Sequence, residues 1–519
     1  MTIPAVTLPI LSFIVFTPLV GALLLLLIPR HQKEAARVFA ATVSGFTLLL
    51  ALWAFLAYDR SAGGYQFVER ISWLPQLGIH YYVGVDGVSL PLVLLSALVL
   101  FTGVLVSWNI EDRPHELFAF MLLLASGIMG VFVARNLVLL FFFYEIAIFP
   151  KYFLIAIWGS TRKEYAAMKL VLYTLVGSII ALVGALALYF VSPVRTFDMD
   201  VLRELAARGA FARPVEVFGQ TVRFDHLWFL PVFLGFAVTA GLWPFHNWVP
   251  DGHSAAPTAG SMFLAGVVMK VGAYSALRVG IELMPGGAVY WLPVVVFLAV
   301  VAALYSAAIS LVQEDLKYVI AFSSIGHMAF VTIGFAAMNV TGLTGAVLQM
   351  FSHGVMAAIL FAVVGMVYDR AHTRYLAHLG GFARAMPMAT LGFVLGGLVA
   401  MGMPGFSGFI AEFQVFAGIW AARDTAWWYP WVAILAAPSI ALSAAYILRA
   451  LQATFFGELN RERYPYVGDV TVLDKVAIVT LAVWFVLIGV FPRVMTDLIQ
   501  TGVEPIAALL HGAMLASLR

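Results

Sequence analysis

Fourteen apolar runs, most of about twenty residues, follow one another along this chain, and that succession constrains its fold more than any single motif. In a bilayer every backbone N–H and C=O must be satisfied within the protein, so a run of this length is read as an α-helix. The chain is 63% hydrophobic and only 11% charged, and most runs are joined by short loops. No soluble domain of ordinary size fits between them. The sequence therefore predicts an all-α polytopic membrane protein, a single integral-membrane domain over 1–519. The runs lie near 8–28, 35–57, 87–108, 116–133, 136–157, 166–192, 228–249, 260–283, 290–313, 317–338, 343–368, 388–420, 428–456 and 472–492. Ala134, Arg135 and Asn136 are the predicted turn between the fourth and fifth. The first run lacks a basic segment before it and a small-residue cleavage site after it, so it reads as a spanning helix rather than a signal peptide. The tail, Thr496–Leu518, has a helical pattern but carries Glu504 and His511, and is expected to lie along the surface.

Several function classes are excluded. A net charge of +2 gives no sign of a nucleic-acid or polyanionic partner. The absence of cysteine rules out disulfides, cysteine-ligated iron–sulfur clusters and thiolate metal sites. There is no P-loop, no GxGxxG after a strand and no HExxH. Gly405-Phe-Ser407 begins like a nucleophile elbow, but Phe409 stands where the second glycine belongs. Lys and Arg collect in the loops after odd-numbered helices: Arg30, Lys33 and Arg37; Arg162 and Lys163; Arg370 and Arg374; Arg461 and Arg463. By the positive-inside rule those loops are cytoplasmic and both termini outside.

The stretch Thr239–Lys270 looks like part of an ion path. It starts as apolar helix, breaks at Gly241 and Pro244, crosses an expected loop with His246, Asp251 and His253, and re-enters apolar sequence carrying Lys270. Broken backbone is tolerated in a bilayer only inside protein or beside a wet cavity. The twelfth run breaks similarly, at Gly402-Met-Pro-Gly-Phe-Ser-Gly408. Two breaks five helices apart suggest a five-helix unit repeated once, and because five is odd the second copy is inverted. Helix kinks of ordinary kind are the alternative.

Glu145, Lys270, His353 and Glu412 are ionisable residues inside apolar runs, while Lys169, Lys317 and His327 lie nearer the ends of theirs. Such groups are costly in a membrane and mark proton or ion routes. Each also has a plainer reading. Glu145 and Lys270 form a structural ion pair, His353 is a packing residue beside Ser352 and Gly354, and Lys317 snorkels to the interface. His246, Asp251 and His253 match no standard metal-ligand spacing, and no metal site is assigned.

The motifs FFFYEIAIFPKYFLIAIW (Phe141–Trp158), WPFHNWVPDGHSAAPTAGS, the Lys270 helix, DLKYVIAFSSIGHM and GMPGFSGFIAEF resemble the antiporter-like membrane subunits of respiratory complex I, over roughly residues 80–460. The glutamate of the last motif and GVDGVSLPLVLLSALV (Gly84–Val99) favour the NuoM type, subunit 4, over the NuoL and NuoN types. Mrp-type sodium/proton antiporter chains and bicarbonate-uptake chains are cousins. The resemblance implies fourteen helices with broken helices seven and twelve, and inverted repeats of helices four to eight and nine to thirteen. The expected segments are N-terminal helices over 1–110, repeats over 116–283 and 290–456, and a last helix and tail over 472–519. It implies a multi-pass subunit of a bacterial inner-membrane NADH-quinone oxidoreductase, with NuoL- and NuoN-type neighbours. Protons would move through Glu145, Lys270, His353 and Glu412, with Lys317 and His327 beside them, coupled to quinone reduction elsewhere in the complex. No cofactor or redox centre is expected in this chain.

One position departs from that pattern. Where the family carries a helix-seven lysine paired with the helix-five glutamate, this chain has Thr239. Lys151 is the substitute within the chain, but six residues are about 600° of helix rotation, and only the Pro150 kink would bring it to Glu145. Threonine holds no charge, so coupling at the helix-five end is expected to be impaired or rewired. An Mrp-like antiporter subunit and a non-pumping assembly subunit are the competing readings.

Overall fold

The computed structural model describes residues 8–517. Its helices are α1 (Ile10–Leu25), α2 (Lys33–Ala57), α3 (Ser89–Val106), α4 (Pro114–Val133), α5 (Leu137–Trp158), α6 (Lys163–Val191), a two-part α7 (Phe224–Ala240 and Trp248–Ala255) and α8 (Thr258–Ile281). There follow α9 (Pro285–Val312), α10 (Leu316–Ala336), α11 (Val340–Ala371), a two-part α12 (Pro387–Ala400 and Ser407–Ala421), α13 (Tyr429–Phe455), α14 (Val472–Val490) and α15 (Arg493–Ser517). By length and composition twelve of these suffice to cross a membrane, α15 among them; Ile10–Leu25, Phe224–Ala240 and Pro387–Ala400 are shorter apolar helices. The fold is that of an all-α polytopic membrane protein.

Local chemistry sets the ends of these helices. Asn136 caps α5 by accepting from the backbone of Val138 and Leu139, so the three-residue turn after α4 falls where the sequence predicts it. Asp315 and Asn339 cap α10 and α11 in the same way, and Thr471 with Asp474 forms a capping box on α14. Pro114, Pro285 and Pro387 open their helices, where a missing N–H costs nothing. The first half of α7 stops at Gly241, whose φ of +80° suits glycine.

Two expectations are corrected. Asp251 and His253 lie not in a loop but in the second, helical half of α7. Pro250 sits in its first turn, where the unmade N–H bond removes the objection to proline. The long connections also hold strands. β1 (Gln66–Leu74) and β2 (Ile79–Val85) pair antiparallel around Gly78, and β3 (Pro214–Val217) pairs with β4 (Gln220–Arg223). A nine-residue helix, Met199–Ala207, precedes the second hairpin.

Loops gather at two ends of the bundle. At one, Ser160 bonds Ala255, Leu376 bonds Glu314 and Arg374 reaches Ser254; this is the Arg374 end. At the other, Arg135 bonds Tyr82, Met199 bonds Arg135 and Arg278 bonds Asp86; this is the Asp86 end. Outward faces are apolar, as Leu49, Val176, Leu186 and Val483 illustrate, and suit lipid contact. α8 and α11 are the most enclosed helices. Since lipid is as apolar as leucine, close backbone approach rather than burial drives such packing. A Cβ on Gly354 would lie 2.6 Å from the carbonyl oxygen of Gly266, so only glycine lets α11 and α8 meet there.

α15 packs one face against α9 and α11. It also roofs the turn before α3: a Cβ on Gly502 would lie 2.7 Å from the Val88 nitrogen, and one on Gly87 would run into the Leu498 carbonyl. The expected surface position of the tail is thus refined to a seat at the Asp86 end. Leu518 falls outside the described residues.

Candidate functional site

The Gly266–Gly354 crossing brings together two ionisable residues that sit beside those glycines on separate helices. Lys270 Nζ lies 2.6 Å from His353 Nδ1 and donates a second bond to the carbonyl of Ala265, on a π-helical turn of α8. π turns loosen the regular backbone ladder and recur at functional sites. Next along, the His353 and His327 rings stack with centroids 5.5 Å apart. His327 Nδ1 is 3.2 Å from Glu412 Oε1. Lys270, His353, His327 and Glu412 thus form one row across α8, α11, α10 and the second half of α12, each at most 3% exposed.

The breaks in α7 and α12 do different work here. Glu412 lies beyond the α12 break, and a Cβ on Gly402, where φ is +63°, would stand 2.7 Å from Glu412 Oε2. The same break is tied to α11 by a 2.7 Å bond between the Ser352 and Ser407 hydroxyls. The second half of α7 presents His253, buried and with neither ring nitrogen hydrogen-bonded among the described residues; the charges acting on it are those of Lys270 and Lys317. Lys317 Nζ donates to the Ala256 carbonyl at 2.6 Å, where α7 passes into α8. Lys317 is 5% exposed, so its ammonium is held inside rather than snorkelling free.

Behind Lys317, at the Arg374 end, a polar cavity of about 440 Å³ is lined by Arg162, Asp251, Ser254, Asp315, Tyr318 and Arg374, among others. Lys169 pairs with Asp251 at 2.7 Å, Tyr318 donates to Asp251 at 3.1 Å, and Arg374 Nε pairs with Asp315 at 2.5 Å. His246 is buried against Tyr305, with both nitrogens unpartnered among the described residues. Asp251 is taken up by Lys169, so His246, Asp251 and His253 do not act as one ligand set.

Glu145 stands apart from the row. It is exposed on the side of the bundle, in a groove of about 570 Å³ with Leu123, Phe142, Ile146, Phe149 and Leu182, and its polar contact is the Ser178 hydroxyl at 2.8 Å. Lys151 is 3% exposed, and among the described residues it makes no ion pair with Glu145. Thr239 is buried and accepts a hydrogen bond from Tyr144 rather than meeting Glu145.

Sequence reasoning missed three participants. Gln349 Nε2 lies 3.3 Å from His327 Nδ1 and 3.4 Å from Glu412 Oε1, bracing the acid and the imidazole. Its position one turn before His353 was the available signal. Arg278 and Asp86 form the second omission, a buried pair at 2.5 Å at the Asp86 end. The signal for it is an arginine inside the apolar stretch ALRVGIEL. Burial alone would raise the Asp86 carboxyl, but the charge and hydrogen bond of Arg278 hold it below the usual carboxylate range.

The row can carry a proton. Each member is a group that can hold a proton in one state and release it in another, and the four meet at hydrogen-bond distance in two pairs, Lys270 with His353 and His327 with Glu412. The step between the two imidazoles is the one link made by stacking; both Nε2 atoms are buried without a partner among the described residues.

The family model described as NADH:quinone oxidoreductase/Mrp antiporter, TM, matches residues 134–440. The chain is 37% identical to NADH-quinone oxidoreductase subunit M of Rhodobacter capsulatus over 506 residues, covering 97% of each. It is 36% identical to an NAD(P)H-quinone oxidoreductase chain 4 of Trichormus variabilis, covering 96% of this chain and 91% of that one. Among solved structures it matches a chain of respiratory complex I from Thermus thermophilus with a TM-score of 0.83 at 28% identity, over 96% and 99% of the two chains. A chain of the Mrp complex from Dietzia sp. shares the fold with a TM-score of 0.81 at 19% identity, over 98% and 99%.

Proposed function

The chain belongs to the NADH:quinone oxidoreductase/Mrp antiporter transmembrane family, and on that premise we propose that it is a proton-translocating membrane-arm subunit of a complex I-type NADH-quinone oxidoreductase. The observation that carries this reading is the buried row Lys270–His353–His327–Glu412, which crosses the bundle interior. In this reading protons enter from the Arg374 end through the polar cavity, pass Lys317 and His253, and load Lys270. The lysine hands its proton to His353 Nδ1; His327 and then Glu412, braced by Gln349, receive it next. Quinone reduction takes place in other chains, and its free energy reaches this one as displaced charge.

The arrangement proposed for the whole chain has fourteen spans with both termini outside. Helices α4–α8 and α9–α13 form two inverted repeats. The neighbours are NuoL- and NuoN-type subunits in a bacterial inner membrane. Glu145, on the lateral groove, is the member of the path that faces such a neighbour. Thr239 favours a second reading for that end alone, in which the Glu145 branch is silent while the central row works.

Lys270→Ala tests the proposal. The change removes a buried charge along with its desolvation cost, so the complex should still assemble. Proton translocation per electron should fall several-fold in vesicles. Vesicles that pump at the parental ratio would make Lys270 structural. Purification in mild detergent, with identification of the accompanying chains, separates this function from a stand-alone exchanger.

A further inference from the structure

Four side chains run along the Lys270 helix toward the Asp86 end at steps of four: Lys270, Tyr274, Arg278 and Glu282. Such steps keep residues on adjacent turns of one face, so the series is a polar stripe from the buried lysine to the loop after α8. No member is more than 1% exposed. Between Lys270 and Arg278, the Tyr274 hydroxyl donates to the Phe132 carbonyl at 2.9 Å, and the Ser275 hydroxyl is buried with no partner among the described residues. Beyond Arg278, Glu282 pairs at 3.2 Å with Arg203, whose side chain is 32% exposed. An open stripe would join Lys270 to the surface at the Asp86 end, while the polar cavity approaches it from the Arg374 end.

Arg278 stands across that route. It is clamped from both sides, by Asp86 at 2.5 Å and by Glu282 at 3.1 Å, and its guanidinium lies 5.2 Å from the Tyr274 ring centre and 5.6 Å from that of Tyr65. A guanidinium only donates hydrogen bonds and stays charged at any accessible pH, so it neither accepts nor relays a proton. Fixed at 1% exposure among buried side chains, it repels a second positive charge, as arginines do in pores that exclude protons. A lysine open to both faces at once would dissipate any gradient it helped to build.

We propose that Arg278, clamped by Asp86 and Glu282, is a proton seal that closes the Asp86 end of the Lys270 helix and leaves His353 as the outlet from Lys270. This rests on the reading of Lys270 as a proton carrier. The first test imposes a pH gradient, without substrate, on liposomes holding the assembled complex. Arg278→Gln should lose the gradient several-fold faster than the parent, whereas Arg278→Lys, which keeps a fixed charge, should stay close to it. An assembled Arg278→Gln complex as tight as the parent overturns the seal. Adding Lys270→Ala to Arg278→Gln separates the two readings. A leak that disappears supports both; a leak that persists keeps Arg278 as the barrier and removes Lys270 from the path.

The second test leaves Arg278 in place. The chain has no cysteine, so Ser275→Cys puts a single thiol between Lys270 and Arg278. A membrane-impermeant methanethiosulfonate applied from the Asp86 end should label an exposed control, Ser61→Cys, and spare Ser275→Cys. Labelling of Ser275→Cys from that side shows a water-filled opening past Arg278 and overturns the proposal, whether or not the glutamine variant assembles.

Discussion

Tyr144 donates a 2.6 Å hydrogen bond to Thr239, and this pair of buried hydroxyls joins α5 to the last turn of the first half of α7. One residue further, Glu145 looks outward into the lateral groove. Neighbours in sequence thus serve different surroundings, one locking helices together and the other facing away from the bundle. Tyr144→Phe leaves the Thr239 hydroxyl buried without its donor, a loss of about 1–2 kcal/mol. The expected result is a lower thermal midpoint of the assembled complex with an unchanged proton-to-electron ratio. Reduced pumping at an unchanged midpoint would instead place Tyr144 on a proton route.

Gly354→Ala should harm both stability and transport. The added methyl meets the Gly266 carbonyl at 2.6 Å, and overpacking of this kind costs about 1–3 kcal/mol. Forcing α8 and α11 apart also stretches the Lys270–His353 contact. Thermal melting and proton-to-electron ratio, measured on the same preparation, should fall together. A fall in the midpoint alone would show that the relay tolerates a wider crossing.

Gln349→Leu tests the brace beside Glu412. It removes both amide contacts, leaving the acid and the imidazole to hold each other. A lost hydrogen bond costs about 0.5–1.5 kcal/mol, so the relay geometry should be less well populated and pumping should drop severalfold. Electron transfer driven without a proton gradient should be nearly parental. Parental pumping would reduce Gln349 to packing.

Acid should loosen the Asp86 end before the rest of the bundle. Burial would raise the carboxyls of Asp86 and Asp200, but Arg278 holds the first and Arg135, with the Tyr82 hydroxyl, the second below their ordinary 3.8. A depressed folded-state pKa stabilises the fold fully above the unfolded value, and that contribution is lost as pH falls through the folded one. Hydrogen exchange in the β1–β2 hairpin and the Met199–Ala207 helix should therefore be flat down to about pH 5 and rise below about pH 3.8. A rise already near neutrality would contradict the assignment.

Features that depend on nearby residues were legible in the sequence. The apolar runs, the turn at Ala134–Asn136 and the breaks at Gly241 and Gly402 each rest on a few adjacent side chains, and each lies where it was expected. Lys270, His353, His327 and Glu412 stood out because charge inside an apolar run is costly wherever the helix points. What they touch was not legible. Asp86 and Arg278 are 192 positions apart, and no local pattern links them. The outward turn of Glu145 was hidden for a different reason. A helix apolar on every side has no polar face to report which side meets lipid and which meets protein. Proline reads as a breaker in sequence and so puts Asp251 and His253 in a loop, whereas in the first turn of a helix it is tolerated because its missing N–H would make no intrahelical bond.

The roof that α15 sets over the Gly87–Val88 turn carries a consequence for how the molecule is made. α15 follows every other described helix in sequence, and Gly502 leaves the ribosome 415 residues after Gly87 of the turn it covers. At about 5–20 residues per second, roughly 20–80 s separate the two events. During that interval the backbone of the Gly87–Val88 turn lacks its Gly502 cover. The close approach of Gly502 to Gly87 and Val88 is thus made late in synthesis, and a nascent chain stalled before α15 presents that turn uncovered.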